Sequence, residues 1–374
     1  MKCKLSEIAI ITMGQSPKGS SYNANKEGKP FLQGRKTFGR IYPYIDTWTT
    51  EPNRMAQKGS ILMSVRAPVG DVNIANNEIC IGRGLCSINA KNGNNNYLYY
   101  LLLNSKTNIV NKSSGTVFDS INREQLENLE INAHNEDEQR KISRILSKID
   151  EKIELNTHTN NNLYEIGKAL YQEYFENEEY TNNYEIRQLS EVTTNNRNKI
   201  DKSREYKVLS AVNTGNLVLS DDYFDKQVYS KDIGKYLNVN KNDFAYNPAR
   251  INIGSIGLNT FDYNCCVSPV YVTFSVDKDY IDFFDFYFKS KKFNAEVTLR
   301  ASGSVRQALN YNDFGMIEIP YPSKEMIDKF NNLYKTIKDR INKNKAKISS
   351  LEQLRDTLLP KLMNGEIDLD KVEI

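Results

Sequence analysis

The sequence predicts an α+β protein with an internal repeat, in which a strand-rich mixed α/β domain and a long helix each occur twice. Two observations predict this architecture. Two segments carry the same coiled-coil spacing of apolar residues, and short motifs recur along the chain at a nearly constant offset. With 374 residues, the chain is long enough for two or three domains that each have a core.

The first long helix is predicted over residues 136–178, where apolar residues recur in alternating steps of four and three. Acidic residues at 136–138 come first, and the helix dipole favours negative charge near a helix N-terminus. At about 1.5 Å per residue, a helix of this length makes a rod of roughly 60 Å. The predicted seam of this helix contains Ile142, Leu146, Ile149, Ile153, Asn156, Leu163 and Leu170.

The same seam recurs near the end of the chain. When the two seams are aligned, Asn156 falls on Asn344. A buried asparagine in a seam usually fixes the register of the helices by pairing with another polar group. We therefore interpret the two segments as equivalent helices packed together, with two unrelated amphipathic surface helices as the alternative. The predicted seam of the second helix contains Phe330, Ile337, Ile341, Asn344, Ile348, Leu351 and Leu358.

The repeat extends into the globular segments that precede each helix. Leu5–Ile8 matches Leu189–Val192, and Gly70 corresponds to Gly254. Within both segments, turn signals alternate with β-branched or aromatic runs, which predicts short strands such as 61–65, and an apolar cluster predicts a short helix at 97–103. The predicted division of the chain is a globular domain at 1–134, a long helix at 135–180, a second globular domain at 181–322, and a helix with a tail at 323–374.

Composition and motifs argue against several functional classes. The five cysteines form no CxxC pair and the chain has two histidines, so we expect free thiols in a reducing cytoplasm and no metal site. No apolar run approaches the length of a membrane span. Gly82-Arg83-Gly84 lacks the third glycine of a dinucleotide loop. We predict a binding protein with no catalytic residue and no cofactor of its own.

Basic and amide side chains occupy loops at matching places in the two globular segments, and residues 1–134 carry a net charge of +6. Arg and Lys bind guanine edges, Asn and Gln suit adenine, and Ser, Thr and Lys suit phosphate. For any one residue an ordinary solvated loop is the alternative, so the hypothesis depends on the set and its duplication. The predicted DNA-binding residues are Gln15, Ser16, Lys18, Arg35, Lys36, Arg40, Arg66, Arg83, Lys112, Ser114, Asn196, Arg197, Lys199, Asn213, Arg250, Asn252, Ser302, Ser304, Arg306 and Gln307.

Four motifs resemble the specificity subunit of type I restriction–modification systems. They are Leu5-Ser6-Glu7-Ile8, residues 65–70, residues 138–142 at the start of the central helix, and residues 354–367 around a Pro/Gly helix stop. The resemblance covers essentially the entire chain. It implies two target-recognition domains, each followed by a conserved long helix, with the two helices antiparallel in a coiled coil.

The resemblance also implies a function in a bacterial or archaeal cytoplasm. Each domain would read one half-site of double-stranded DNA, and the coiled coil would set the spacer of an asymmetric bipartite target. The helices would dock two methyltransferase subunits, which would bind S-adenosylmethionine. Restriction would need translocase–nuclease subunits with ATP and Mg. Two alternatives stay open: a detached recognition part of a fused restriction–methylation enzyme, and a non-catalytic scaffold whose duplicated domains bind proteins.

Overall fold

The computed structural model describes residues 1–113, 120–182, 184–224, 227–300 and 308–371. The chain forms two compact units, one of Met1–His158 with Asn344–Ile374 and the other of Thr159–Lys343. Each unit contains one globular domain and one half of each long helix. The four-part division of the chain into two globular segments and two helical segments stays a prediction.

Domain 1 is the globular part of the first unit and is rich in short strands. In chain order its elements are β1 (Lys2–Lys4), α1 (Leu5–Ile8), β2 (Ala9–Met13), β3 (Tyr22–Asn23), β4 (Lys29–Leu32), β5 (Trp48–Thr49), β6 (Met55–Ala56), β7 (Ile61–Ser64), β8 (Val72–Ile74), β9 (Ile79–Ile81), β10 (Leu85–Ala90), α2 (Asn95–Asn104), α3 (Lys106–Lys112), α4 (Arg123–Glu127) and β11 (Glu130–Asn132).

Two sheets form the framework of domain 1. Strands β2, β10, β7 and β8 form an antiparallel sheet in that order, and β3, β5, β4, β9 and β6 form a second sheet in which β4 and β9 are parallel. Strand β7 is buried on both faces: Ile61 and Met63 pack in the core that contains α2, whereas Leu62 packs in a second core with Leu32 and Ile81. A strand covered on both sides explains the continuous apolar run in its sequence.

Domain 2 is the globular part of the second unit. The elements that follow domain 1 are the long helix α5 (Glu136–Phe175), α6 (Glu178–Thr181), β12 (Glu185–Gln188), α7 (Leu189–Val192), β13 (Thr193–Asn195), β14 (Lys207–Val212), β15 (Asn216–Leu219), α8 (Ser220–Tyr223), β16 (Leu237–Val239), β17 (Phe244–Tyr246), β18 (Ile256–Leu258), β19 (Cys265–Val267), β20 (Val272–Val276), α9 (Ile281–Tyr287), α10 (Lys291–Arg300), α11 (Tyr311–Gly315), β21 (Glu318–Tyr321) and the long helix α12 (Lys324–Met363).

Domain 2 repeats the strand order of domain 1, which confirms the predicted internal repeat. The sheet β13-β20-β17-β18 corresponds to β2-β10-β7-β8, and β14 and β19 repeat the parallel pairing of β4 and β9. The first helical turn is fixed in the same way in both domains. The backbone N–H of Leu5 donates to Leu129, and that of Leu189 donates to Ile317, each at 2.9 Å.

The two domains also share a turn whose backbone has a positive φ angle. Gly59, in the turn before β7, has φ of +85°, and the corresponding residue before β17 is Asn242 with φ of +72°. Both types tolerate the left-handed region, glycine without a Cβ penalty and asparagine through local hydrogen bonding. The two sequences thus solve the same turn with different residues.

Within each unit, the long helices run antiparallel. In the first unit, Ile142 and Leu146 of α5 share a core with Leu359 and Leu362 of α12, so the start of one helix meets the end of the other. The seam residues in this unit are buried or half-buried. Asn344 is 4% exposed.

In the second unit, the aromatic ring of Phe175 lies 5.0 Å from that of Phe330. The amide of Asn160 donates to the carbonyl of Ile341 at 3.5 Å. The pairing of 175 with 330 and of 160 with 341 again requires opposite helix directions, which confirms the antiparallel coiled coil.

Candidate nucleic-acid interface

Three predicted loops of domain 1 meet at one place. The hydroxyl of Ser16 donates to Oε1 of Gln33 at 3.0 Å, and the backbone N–H of Arg83 donates to Oγ of Ser16 at 3.2 Å. The backbone N–H of Gln15 also donates to the carbonyl of Ile81 at 2.9 Å. These bonds bring together the loop after β2, the loop after β4 and the loop between β9 and β10.

Two glycines allow the loops to approach so closely. A Cβ on Gly82 would lie 2.8 Å from Oε1 of Gln33, and a Cβ on Gly84 would lie 2.6 Å from the Gln33 carbonyl oxygen. Both distances are shorter than side chains permit, so the Gly-Arg-Gly sequence at 82–84 serves to seat Arg83 against Gln33. The side chains of Gln33 and Arg83 are exposed.

A fourth loop adds Arg66 to this surface. The backbone N–H of Val65 donates to the Gly84 carbonyl at 3.0 Å, and Arg66 forms an isolated β-bridge with Ser120. Arg66 is exposed. The structure thus places Gln15, Ser16, Arg66 and Arg83 beside one another, with exposed Lys18 following in the first loop.

Two polar residues at this place escaped the sequence analysis. The side-chain amide of Asn53 donates to the carbonyl of Ser16 at 3.1 Å, and the carbonyl of Arg54 accepts from the N–H of Ile81 at 2.8 Å. Arg54 is exposed. Neither residue belongs to a recognisable motif, so only their neighbours in the structure identify them as candidate interface residues.

Other predicted residues of domain 1 lie elsewhere or have ionic partners. The guanidinium of Arg35 contacts Asp71 at 2.6 Å, and Lys106 contacts the same carboxylate at 2.6 Å. The ammonium of Lys36 lies 3.9 Å from Asp46 and is 88% exposed. Lys112 is exposed at the end of α3.

Arg40 joins a partly buried ionic hub with the long helices. The guanidinium lies 3.3 Å from Asp150 and 3.0 Å from Glu154 on α5, and 3.9 Å from Glu352 on α12. This environment differs from the solvated loop that the sequence suggested. It indicates that Arg40 anchors domain 1 to the helices of its unit.

Asp150 is the centre of this hub. Its side chain is 6% exposed and lies 3.2 Å from the guanidinium of Arg355 on α12. Its other oxygen accepts a 2.6 Å bond from the hydroxyl of Tyr100 on α2. Burial and the nearby carboxylate of Asp150 raise the pKa of the Tyr100 hydroxyl well above its usual range. The hub thus links domain 1 to both helices through one carboxylate.

The candidates in domain 2 fall in two places. Asn196, Arg197 and Lys199 follow β13, and the backbone N–H of Asn196 donates to the Thr273 carbonyl at 2.8 Å. Lys199 forms an isolated β-bridge with Leu237, and the side chains of Arg197 and Lys199 are exposed.

The second place in domain 2 brings together Asn213, Arg250 and Asn252. Gly254 has φ of +85°, and a Cβ on it would lie 2.9 Å from the Asn213 carbonyl oxygen. Arg250 lies at a cavity of about 430 Å³ that Asn247 and Val270 also line. Both polar and apolar side chains line this cavity.

Several predicted residues lie outside the described part of the chain. They are Ser114, Ser302, Ser304, Arg306 and Gln307. Among the described residues, no group of three or more His, Cys, Asp or Glu side chains could hold a metal ion. In the same part of the chain, no helix has both the length and the apolar character that a membrane span requires.

Comparison with known proteins identifies the class of the first half of the chain. The family model described as "Type I restriction modification DNA specificity domain" matches residues 1–165. The MjaX type I restriction enzyme specificity subunit of Methanocaldococcus jannaschii is 45% identical over 147 residues, which cover 39% of this chain and 35% of that protein. The match thus spans about a third of that relative's length.

Two further similarities extend over most of the chain. The MjaIX type I restriction enzyme specificity subunit of the same organism is 26% identical over 358 residues, covering 85% of this chain and 80% of that protein. The crystal structure of a type I restriction–modification S subunit from M. genitalium superposes with a TM-score of 0.58 at 18% identity, covering 97% of this chain and 95% of that one, and supports the fold alone.

These similarities confirm the resemblance inferred from sequence motifs. Residues 1–165 match a DNA specificity domain of type I restriction–modification systems. Over most of its length the chain is similar to a type I restriction enzyme specificity subunit.

Proposed function

We propose that this chain is the DNA-reading subunit of a type I restriction–modification complex and that it recognises an asymmetric, bipartite target. The observation that carries the proposal is the meeting of four polar loops around Ser16 in domain 1, where Arg66 and Arg83 are exposed. Sequence-specific DNA binding needs such exposed donors on a rigid frame, because base edges are read by hydrogen bonds in the groove.

Two unlike domains account for the asymmetry of the proposed target. Domain 1 presents arginines and glutamine at its loops, whereas domain 2 presents Asn213, Arg250 and Asn252 around Gly254. Different donor sets on the same framework would read different half-sites. The other exposed loop residues would contact phosphates and so keep each domain in register on the DNA.

The long helices would set the unread spacer between the half-sites. Each helix contains 40 residues, which corresponds to roughly 60 Å. A turn of DNA is about 34–36 Å, so helices of this length suit half-sites that lie one to two turns apart.

The proposed partners carry the chemistry that we do not assign to this chain. Two methyltransferase subunits would dock on the helices, bind S-adenosylmethionine and methylate a flipped adenine. Restriction would require translocase–nuclease subunits with ATP and Mg. The proposal places the complex in the cytoplasm, where its DNA substrate lies.

Salt dependence of DNA binding tests the proposal and separates it from a protein-binding scaffold. A protein that makes about six phosphate contacts should lose roughly 1,000-fold in affinity between 50 and 200 mM salt. We expect Arg66→Ala and Arg83→Ala each to weaken binding, and Lys335→Ala, an exposed lysine of α12, to leave it unchanged. Absence of DNA binding by the full chain with its methyltransferase subunit would contradict the proposal.

A further inference from the structure

The amide of Gln33 is held in one orientation before any ligand binds. Oε1 accepts from the Ser16 hydroxyl at 3.0 Å, and the same Ser16 oxygen accepts from the Arg83 N–H at 3.2 Å. Gly82 also packs against the Gln33 side chain. The side-chain oxygen of Gln33 is therefore engaged within the protein, and its NH2 group remains to donate to a ligand.

The neighbours of this amide are also donors. Arg83 follows Gly82 in the loop between β9 and β10. The hydrogen bond between Val65 and Gly84 brings Arg66 to this loop, and the hydrogen bond between Ile81 and Arg54 brings Arg54 to it. All three arginine side chains are exposed. The loop stretches 15–18, 33–36, 53–54 and 82–84 contain no Asp or Glu, so these stretches supply no carboxylate acceptor.

We infer that this cluster reads a guanine in the half-site of domain 1, with Gln33 and Arg83 contacting base edges and Ser16 acting as a positioning residue. The inference rests on the proposed function and names the base that domain 1 selects at this site. It also separates the residues that read bases from Lys18 and Lys36, which would contact phosphates.

The pattern of donors distinguishes guanine from the other bases. In the major groove guanine presents two acceptors, N7 and O6, and arginine is the residue that most often meets both. Cytosine presents a donor that Asp or Glu accepts, and these stretches contain neither. Adenine is read when a glutamine uses its oxygen and its NH2 group together, but the Gln33 oxygen is already engaged by Ser16.

Ser16 would act through Gln33 and not through contact with DNA. Its hydroxyl makes two hydrogen bonds within the protein, and its backbone carbonyl accepts from the amide of Asn53 at 3.1 Å. Removing the hydroxyl would free the Gln33 amide to rotate and to present either oxygen or nitrogen. Base preference would then relax, while the phosphate contacts of the loops stayed in place.

Selection of bound duplexes from a randomised DNA library tests the inference on the full chain in complex with its methyltransferase subunit. Gln33→Ala should relax the preference at one base pair of one half-site, and that base pair should be G·C. A bidentate contact discriminates by about 5- to 150-fold, so we expect a loss within this range for Arg83→Ala and a loss toward its lower end for Gln33→Ala, which removes one donor. Ser16→Ala should relax the same base pair, and Ser16→Thr, which keeps the hydroxyl, should restore it.

Matched controls keep the result interpretable. Ser20→Ala changes an exposed serine four residues away and should leave every base preference intact. The salt slope of Ser16→Ala should equal that of the wild type, because no phosphate contact is removed.

Different outcomes overturn different claims. A wild-type complex that selects a sequence, but whose base preferences do not change in Gln33→Ala, would overturn the inference alone. So would relaxation at an A·T pair, or a Ser16→Ala complex as selective as the wild type. A wild-type complex that selects no sequence would instead contradict the proposed function.

Discussion

Replacing Asp150 with alanine should destabilise the first unit more than any change on the exposed face of α5. The substitution leaves the guanidinium groups of Arg40 and Arg355 and the hydroxyl of Tyr100 without the carboxylate that they share. Because the Asp150 side chain is 6% exposed, water cannot readily replace it. The result is a partly buried cluster of cations that has lost its central anion.

The expected loss in the free energy of unfolding is about 3 kcal/mol. Breaking a buried ion pair by removing one partner costs about 3–5 kcal/mol. The lower end applies here, because Arg40 keeps Glu154 at 3.0 Å and Arg355 keeps Asp356 at 2.8 Å. For a unit of this size, a loss of about 3 kcal/mol lowers the midpoint of thermal unfolding by about 6–12 °C.

Thermal and urea denaturation followed by circular dichroism measure this effect. A double-mutant cycle with Arg355→Ala isolates the contact between the helices, and we expect its coupling energy to be about 1–3 kcal/mol. Tyr100→Phe removes one hydrogen bond to a charged acceptor and should cost about 1.5–3 kcal/mol. The control is Glu151→Ala, the exposed neighbour on α5, which should change stability by less than about 0.5 kcal/mol.

Two results would refute this reasoning. The first is an Asp150→Ala protein as stable as the Glu151→Ala control, which would show that the carboxylate makes no net contribution. The second is strict additivity of Asp150→Ala and Arg355→Ala, which would show that the two side chains do not interact in solution.

Three further predictions follow from the helices and the buried tyrosines. Gly167→Ala should destabilise the second unit by about 1–3 kcal/mol, because the new Cβ would lie 2.6 Å from the Tyr334 ring; an unchanged urea midpoint would contradict this. Burial raises the pKa of Tyr99 to about 12, so its contribution to stability should be full below the unfolded pKa near 10, fall by about 1.4 kcal/mol per pH unit between about pH 10 and 12, and level off above that; urea unfolding of the wild type and Tyr99→Phe across this range measures it, and an equal fall in both proteins would contradict it. Four residues inserted after Asn156 lengthen α5 by about 6 Å and should lengthen the DNA spacer with both half-sites intact; altered half-sites would contradict the role proposed for the helices.

Much of the fold could be predicted because apolar periodicity is a local property. The seam spacing predicted a helix over 136–178, and the structure has Glu136–Phe175. The predicted strand at 61–65 is Ile61–Ser64, and the apolar cluster at 97–103 lies in the helix Asn95–Asn104. Sequence periods give no information on which strands pair, so the order β2-β10-β7-β8 came from the structure.

The ionic hub could not be predicted because its partners are distant in sequence. Asp150 stands in an acidic helix, where a solvated carboxylate is the ordinary expectation. Arg40 follows a polar loop and resembled a DNA-binding residue, but the structure places it 3.3 Å from Asp150. A contact between residues separated by more than one hundred positions leaves no periodic signal in the chain.

The candidate interface was predicted as a set of loops and not as a geometry. Ser16 and Arg83 were identified by residue type, and the structure brings them within hydrogen-bond distance. The two glycines of Gly82-Arg83-Gly84 are visible in the sequence, but there they indicated only an incomplete dinucleotide loop. Their close approach to Gln33 depends on tertiary packing, which spacing along the chain does not encode. Whether these residues bind DNA stays a prediction.

Single-molecule methylome sequencing tests the central claim most directly. DNA would come from a host that expresses this chain with its cognate methyltransferase subunit, and from a matched host without this chain. We predict an adenine-methylated, bipartite and asymmetric motif that disappears when the chain is absent. Methylation at a motif that does not depend on this chain, or no methylation despite a stable complex with an active methyltransferase, would contradict its role as the reader of the target.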